Sequence, residues 1–547
     1  MKAARAFRNM LIVAARNPVW AMGRIMAAPV LMVRPVVTTS IVAGFVGVIC
    51  WSFVHHLARD MALPPHSPDR AILDILAFVP PALIVFYRLT GPMVQHFGDK
   101  SGESHGSARF ATPAEAKPLM QSRDGLLLGR GLRSGGLLRY DGPSHLLTMA
   151  PTRSGKGVGT LIPNLLTVRR PMICIDPKGE NTRVTFRARA RMGPVHVLDP
   201  FGVTGQPSAA FNPLAGLDPA SPDLAEDAAT LADALVYDPP GEAGEVHWNE
   251  EAKALIAGLI LHIVTQEPPN RRTLATLREH LTCPPDAFDA LLASMQASTG
   301  AGGLVARFAN RFSGKTRREG SGVLSTAQRH THFLDSPRMT AVLGRSDFAF
   351  GDLRRRTGTV FLALPPDRLS TYARWLRLMV TQSLQDLIRA SGPSDLSVLY
   401  LLDEFAGLGY LAPVERAMSL MAGYGVQLWP ILQDLHQLRA TYGQRAGTFL
   451  SNLGVLQIFG VNDHETARLA SDLLGQGTVV FETTSQAMDS DRSGLSYAEH
   501  HAGRPLLTPD EVRNLPQDQE LLFVGGMRPV RAAKLRYYAD TEFKGLF

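Results

Sequence analysis

An apolar run, Leu146-Leu147-Thr148-Met149, breaks into Ala150-Pro-Thr-Arg-Ser-Gly-Lys-Gly157. This confines the chain to a fold in which a buried strand passes into a helix through a tight, anion-holding turn. Backbone N–H groups at such a turn converge on one anion, and a lysine at its end adds a point charge for the β- and γ-phosphates of a nucleoside triphosphate. The residues placed around phosphate are Thr152, Arg153, Ser154, Gly155, Lys156, Gly157 and Val158. The pattern departs from the generic phosphate loop at both ends: Ala150 stands where Gly is usual, and Gly157 where a Ser or Thr hydroxyl normally binds Mg²⁺. Here the metal needs another ligand, such as water or Thr160. A plain Gly-rich turn between strand and helix is the bland reading, against which the lysine argues.

A second signal lies far along the chain, in Ser397-Val-Leu-Tyr-Leu-Leu-Asp403-Glu404. A buried-strand composition ending in two carboxylates is what a Walker B strand requires. Asp403 is expected to hold Mg²⁺ through water, and Glu404 to orient and deprotonate the attacking water. An adjacent water-activating base favours hydrolysis over transfer to an acceptor. Taken alone, Asp-Glu after an apolar run is a solvated loop start; beside the phosphate loop that reading weakens.

Residues 36–54 contain no charged side chain, nearly the length a helix needs to cross hydrocarbon, and 71–87 form a second apolar run carrying Asp74 and Pro80-Pro81. Two membrane spans fit, with a buried core helix as the alternative for the second. Lys2, Arg5, Arg8, Arg16, Arg24 and Arg34 precede the first span with no acidic residue among them, which places the N-terminus in the cytoplasm. Two crossings return the chain to that side, and the 16 residues between them are too few for a sizeable periplasmic domain. Residues 9–33, apolar but interrupted by Arg16 and Arg24, are expected along the inner interface. The net charge of +7 draws much of its excess from this end, so basicity alone says little about DNA. With 45% hydrophobic residues in 547, the chain can fill several cores, and its three scattered cysteines suggest neither a disulfide framework nor a zinc site.

Beyond about residue 106, short apolar runs alternate with helical segments, as in a parallel sheet covered by helices. The expected strands are 146–149, 172–175, 195–198, 360–364, 398–402, 428–432, 455–459 and 521–524. Between about 216 and 345 strand signals vanish, and an all-helical insertion is expected. The fold class is therefore α/β: a RecA-like nucleotide-binding domain in two parts, 101–215 and 346–547, an insertion at 216–345, and a membrane anchor at 1–100. Inside the insertion Arg307, Arg311 and Lys315 recur every four residues beside Phe308 and Phe312. On a helix this makes a cationic stripe able to track a phosphate backbone, or, equally, a solvated face whose aromatics pack inward.

Several motifs, in order, resemble the coupling proteins of type IV secretion systems, in their TraG-like conjugative branch. They are His105-Gly-Ser-Ala-Arg-Phe-Ala111, the 150–159 loop, Asp176-Pro-Lys-Gly-Glu-Asn181, Leu402-Asp-Glu-Phe405, Leu432-Gln-Asp-Leu-His-Gln-Leu438 and Arg504-Pro-Leu-Leu-Thr-Pro-Asp-Glu-Val512. The glycine after Lys156 is common in that family. The resemblance implies an inner-membrane ATPase that uses ATP and Mg²⁺, recruits DNA and its relaxase, passes them to the secretion channel, and assembles as a homo-hexamer with ATP at subunit borders. By position it gives Gln433 a γ-phosphate-sensing role, for which a strand-end amide is the plain alternative, and makes the insertion the cargo-recognition region. An arginine finger found in some relatives has no counterpart in Met421-Ala-Gly-Tyr-Gly425; Arg416 or another arginine would have to substitute. A nucleotide-gated receptor for protein effectors, with little motor activity, is the competing reading.

Overall fold

The computed structural model describes residues 7–8, 10–11, 14–15, 18, 21–22, 33–64, 67–97, 105–122, 124–236, 246–390, 392, 396–486 and 495–547. Most of the expected interfacial segment 9–33 lies outside the described residues. The chain divides into two compact units, residues 1–107 with 476–504, and 108–475 with 505–547.

In the first unit, α1 (Val33–Asp60) and α2 (Pro68–Phe97) pack against each other, with Trp51 and Phe78 at 6.0 Å between ring centres. Both are long and apolar enough to cross a membrane. Helix α1, at 28 residues, is about 42 Å long. Phe45 and Phe53 of α1 and Ile75 and Phe78 of α2 are each more than 60% exposed, so neither helix is buried as a core helix among the described residues. The same unit contains a two-stranded sheet, β10 (Gln476–Gln486) and β11 (Leu495–Pro505).

The second unit is built on an eleven-stranded sheet in the order β2-β1-β13-β12-β9-β3-β8-β7-β4-β6-β5. Seven strands run parallel: β3 (His145–Met149), β4 (Met172–Ile175), β5 (Val195–Leu198), β6 (Thr359–Leu362), β7 (Val398–Leu402), β8 (Val426–Leu432) and β9 (Leu453–Ile458). Their near-continuous apolar sequence follows from burial on both faces. Alternate residues feed opposite layers: Leu147, Ile173, Ile175, Tyr400 and Leu402 enter one core, and Leu146, Met172, Cys174, Leu399 and Leu401 the other. All eight expected strands are present, the eighth being β12 (Gln519–Val524), which pairs antiparallel to β9. The expectation missed β1 (Leu126–Gly131), β2 (Leu137–Tyr140) and β13 (Val530–Ala533), which extend the sheet antiparallel beyond β12. Two of these have four residues and the third carries two glycines, too little for a period to register.

Helix α3 (Ile162–Thr167) follows the phosphate loop, and α4 (Glu180–Met192) follows β4. Between β5 and β6 every described regular element is helical: α5 (Leu224–Leu235), α6 (Val246–Gln266), α7 (Leu274–Thr282), α8 (Pro285–Gln296), α9 (Gly300–Ser313), α10 (Arg317–Thr331) and α11 (Pro337–Leu343), with short 3₁₀ turns. Helix α6 is central, with Ile256, Leu259, Ile260 and Ile263 fully buried. Thr273 and Thr316 cap α7 and α10 by accepting the N–H groups of Thr276 and Glu319. Gly258 is needed on α6 because a Cβ there would meet Phe308 Cβ at 2.6 Å. Helix α12 (Pro366–Arg389) returns the chain to the sheet with Trp375, Leu376 and Met379 buried, and α13 (Ala412–Leu420) follows β7.

Candidate nucleotide site

Strand β3 sits between β8 and β9, so the loop that leaves it is pinned on both sides. Ala150 N–H donates to Leu432 O (2.8 Å), and Phe459 N–H to Met149 O (3.0 Å). The backbone then turns left-handed at Arg153 (φ 64°) and Gly155 (φ 91°), an alternation that points successive N–H groups into one concavity. Arg153 accepts a conformation that costs an ordinary L-residue about 1 kcal/mol or more. A wide helical turn, Gly157–Leu161, then leads into α3 with Lys156 at its N-cap. Thr152 and Arg153 are exposed, while Ser154 through Val158 are half-buried.

Glu404 supplies the other half of the site. The strand β7 ends at Leu402, Asp403 follows, and Glu404 adopts the left-handed region (φ 50°, ψ 43°), strained for a side chain with a Cβ. That turn brings both carboxylates to the phosphate loop. Lys156 Nζ lies 3.1 Å from Asp403 Oδ1 and 2.7 Å from Glu404 Oε1. Asp403 Oδ1 also accepts the N–H of Glu404 at 3.0 Å, which holds the two carboxylates apart in orientation. Burial opposes the Lys156 charge, but Asp403 and Glu404 outweigh it and hold the ammonium above its ordinary value. Burial raises the Asp403 carboxyl, Glu404 adds to the rise, and Lys156 offsets part of it.

The residues fit a triphosphate on their own chemistry. Ser154 Oγ is a buried hydroxyl with no hydrogen-bond partner, and a Cβ at Gly155 or Gly157 would meet nothing within 4 Å, leaving the backbone approachable. Thr160, the expected substitute metal ligand, does not face the phosphate cradle as that role requires. It is fully buried and its Oγ1 donates to Gln457 Oε1 (3.3 Å), because the wide turn after Lys156 rotates it into the sheet core. That hydroxyl is therefore committed to the sheet core.

Residues 110–546 match the profile of the family described as "Type IV secretory system Conjugative DNA transfer". The chain belongs to this family. It is a type IV coupling protein of the TraG-like branch. Protein VirD4 of Rhizobium rhizogenes is 30% identical over 468 residues, covering 82% of this chain and 68% of its own length. Conjugal transfer protein TraG of Escherichia coli is 30% identical over 442 residues, covering 74% and 69%. Among solved structures, the bacterial conjugative coupling protein TrwBdeltaN70 superimposes with a TM-score of 0.59 at 18% identity, covering 78% of this chain and 92% of that one. The plasmid coupling protein TrwB in complex with the ATP analogue ADPNP gives 0.58 at 19% identity, covering 78% and 93%. These two share the RecA-like fold.

The other residues singled out in the sequence lie on several different elements. Gln433 directly follows β8, next to the carbonyl that anchors Ala150, and its N–H donates to Gln437 Oε1 (3.0 Å). Arg416 is exposed on α13. Asp176, at the end of β4, accepts the N–H and hydroxyl of Thr182 (both 2.7 Å) and so starts α4. Arg307 and Arg311 are exposed on α9, but Lys315 lies past its end. Arg311 and Lys315 share Glu251, at 2.6 and 2.9 Å, and Lys315 also holds Glu319 at 2.8 Å. Phe312 packs edge-on against Phe288, and Phe308 lies over Gly258, so neither aromatic stands free for a base. The four-residue spacing cannot register Glu251, which comes from α6 some sixty residues earlier.

Sequence reading missed Gln457, Glu520 and Lys534 near the loop. A carboxylate opening the apolar run Glu520-Leu-Leu-Phe-Val524 was the one available signal.

Proposed function

We propose that this protein is the ATP-hydrolysing, inner-membrane coupling component of a conjugative type IV secretion system. The observation that carries the reading is the meeting of Lys156 with Asp403 and Glu404, 3.1 and 2.7 Å apart although 248 positions separate Lys156 from Glu404. Lys156 and the N–H groups of 152–158 hold the β- and γ-phosphates, and Ser154 Oγ gains an acceptor. Asp403 would hold Mg²⁺ through water, and the metal would supply charge neutralisation to the phosphates. Glu404 takes a proton from water as the water oxygen bonds to the γ-phosphorus and the bridging P–O bond to ADP breaks. Gln433, beside the loop, is assigned to sensing the γ-phosphate.

In this reading residues 1–100 anchor the protein through two crossings with the large domain in the cytoplasm, 101–215 and 346–547 form the nucleotide-binding domain, and 216–345 recognise a DNA–relaxase cargo. Arg307 is the most available of the three insertion cations for DNA, since acids compensate Arg311 and Lys315. A homo-hexamer with ATP at subunit borders, feeding the secretion channel, completes the assignment. Glycine at 157 favours the competing receptor reading, because it withdraws a metal ligand. Steady-state ATP turnover with and without DNA decides: turnover abolished by Glu404→Gln supports the motor, and tight ATP binding without turnover in a confirmed oligomer supports the receptor.

A further inference from the structure

Behind the phosphate loop lies a polar chain that the hydrolysis scheme does not use. Glu520 on β12 is completely buried. Its Oε2 accepts from Gln457 Nε2 (2.7 Å), and Gln457 Oε1 in turn accepts from Thr148 Oγ1 (2.7 Å) and Thr160 Oγ1 (3.3 Å). Thr148 precedes the loop on β3 and Thr160 follows it, so one amide ties both ends of the loop to the antiparallel flank. Thr148 also accepts from Trp429 Nε1 (2.8 Å), which links the same point to β8. Glu520 Oε1 has no hydrogen-bond partner and lies where a Cβ on Gly129 would collide with it.

Lys534, just after β13, reaches the middle of the loop. Its Nζ donates to Ser154 O (3.1 Å) and sits 4.3 Å above the centre of the Phe459 ring. The next residue presses on the following turn, since a Cβ at Gly159 would meet Leu535 O at 2.9 Å. An ammonium that donates to Ser154 O fixes the peptide plane there. It thereby sets the direction of the next N–H, that of Gly155, at the left-handed turn of the cradle. A desolvated cation this close also adds positive potential beneath a site meant for phosphate.

We propose that Lys534 is a positioning residue for the phosphate loop, holding its middle in the anion-binding form from the C-terminal flank while Gln457, backed by Glu520, ties down its two ends. This rests on the reading of the loop as a nucleotide site. Lys534 acts through Ser154 and the cradle rather than on the reacting atoms, so its removal should weaken nucleotide binding while leaving the hydrolytic groups in place.

The test is titration of full-length protein in detergent with a fluorescent N-methylanthraniloyl-ATP, alongside melting temperature and ATP turnover. Lys534→Met should weaken binding about tenfold and raise KM similarly, with kcat and melting temperature near wild type, and Lys534→Arg should restore most of the affinity. Wild-type affinity in Lys534→Met overturns the proposal. So does an affinity loss that follows the melting temperature in both variants. Lys156→Ala is the reference: if wild type and Lys156→Ala bind equally poorly, the nucleotide reading itself fails. If Lys156→Ala loses binding and Lys534→Met does not, only the present inference fails.

Discussion

The parallel strands β9, β3, β8, β7, β4, β6 and β5 and the antiparallel flank β2, β1, β13 and β12 belong to one sheet but do different work. The parallel part carries the proposed chemistry at its strand ends: the phosphate loop leaves β3, the carboxylate pair leaves β7, and Gln433 leaves β8. The flank contributes none of these groups. Instead it supplies Lys534, which reaches Ser154, and Glu520, which reaches Thr148 and Thr160 only through Gln457 of β9. In the proposed reading, the groups that touch the ligand sit where strands stop, and the groups that hold them come from β9 and the neighbouring antiparallel strands.

Substitutions sharpen or break that division. The largest effect on binding is expected at Lys156: Lys156→Ala removes a desolvated charge from the phosphates and should weaken ATP affinity by about a hundredfold. Isothermal titration checks it, and near-native affinity would show that the parallel part does not bind phosphate. Glu404→Gln should lower kcat by about 10²–10⁴ with little change in affinity, measured as phosphate release under saturating ATP. Asp403→Ala should shift the Mg²⁺ dependence of turnover to higher concentrations. On the flank, the roughly tenfold loss in Lys534→Met should appear in affinity alone.

A gentler effect separates the two regions by pH. Burial pushes the Glu520 carboxyl up to about 8, with Gln457 and Lys534 opposing, against an ordinary value near 4.5. The folded protein therefore holds a proton that the unfolded chain has released across that window, and stability from this residue falls as pH rises from about 4.5 to 8. Lys534, lowered by burial to about 8 from 10.5, works with the opposite sign above that range. Melting temperature measured from pH 5 to 8 should decline less steeply in Glu520→Gln than in wild type. The smallest effect is expected in the insertion. Arg307→Ala should reduce the salt slope of DNA binding by just under one, whereas Arg311→Ala should change it less because Glu251 already neutralises that side chain.

The sequence by itself determined the strands of the parallel part, the phosphate loop, the Asp403-Glu404 pair, the helical stretch between β5 and β6 and the two long apolar helices. Each is a local pattern: a strand buried on both faces must be apolar throughout, and a loop that wraps phosphate must place glycine and lysine at fixed spacing. Local pattern did not reveal β1, β2 and β13, whose four to six residues pair in succession outward from the edge of β12. It also ran past the fate of individual polar groups. Thr160 looked available for metal until its turn directed it to Gln457, and Arg311 and Lys315 looked like a free stripe until α6 brought Glu251 against them. Partners of that kind are chosen by packing between segments distant in the chain, where burial forces every polar atom to find a neighbour, and only the tertiary structure decides which neighbour it is.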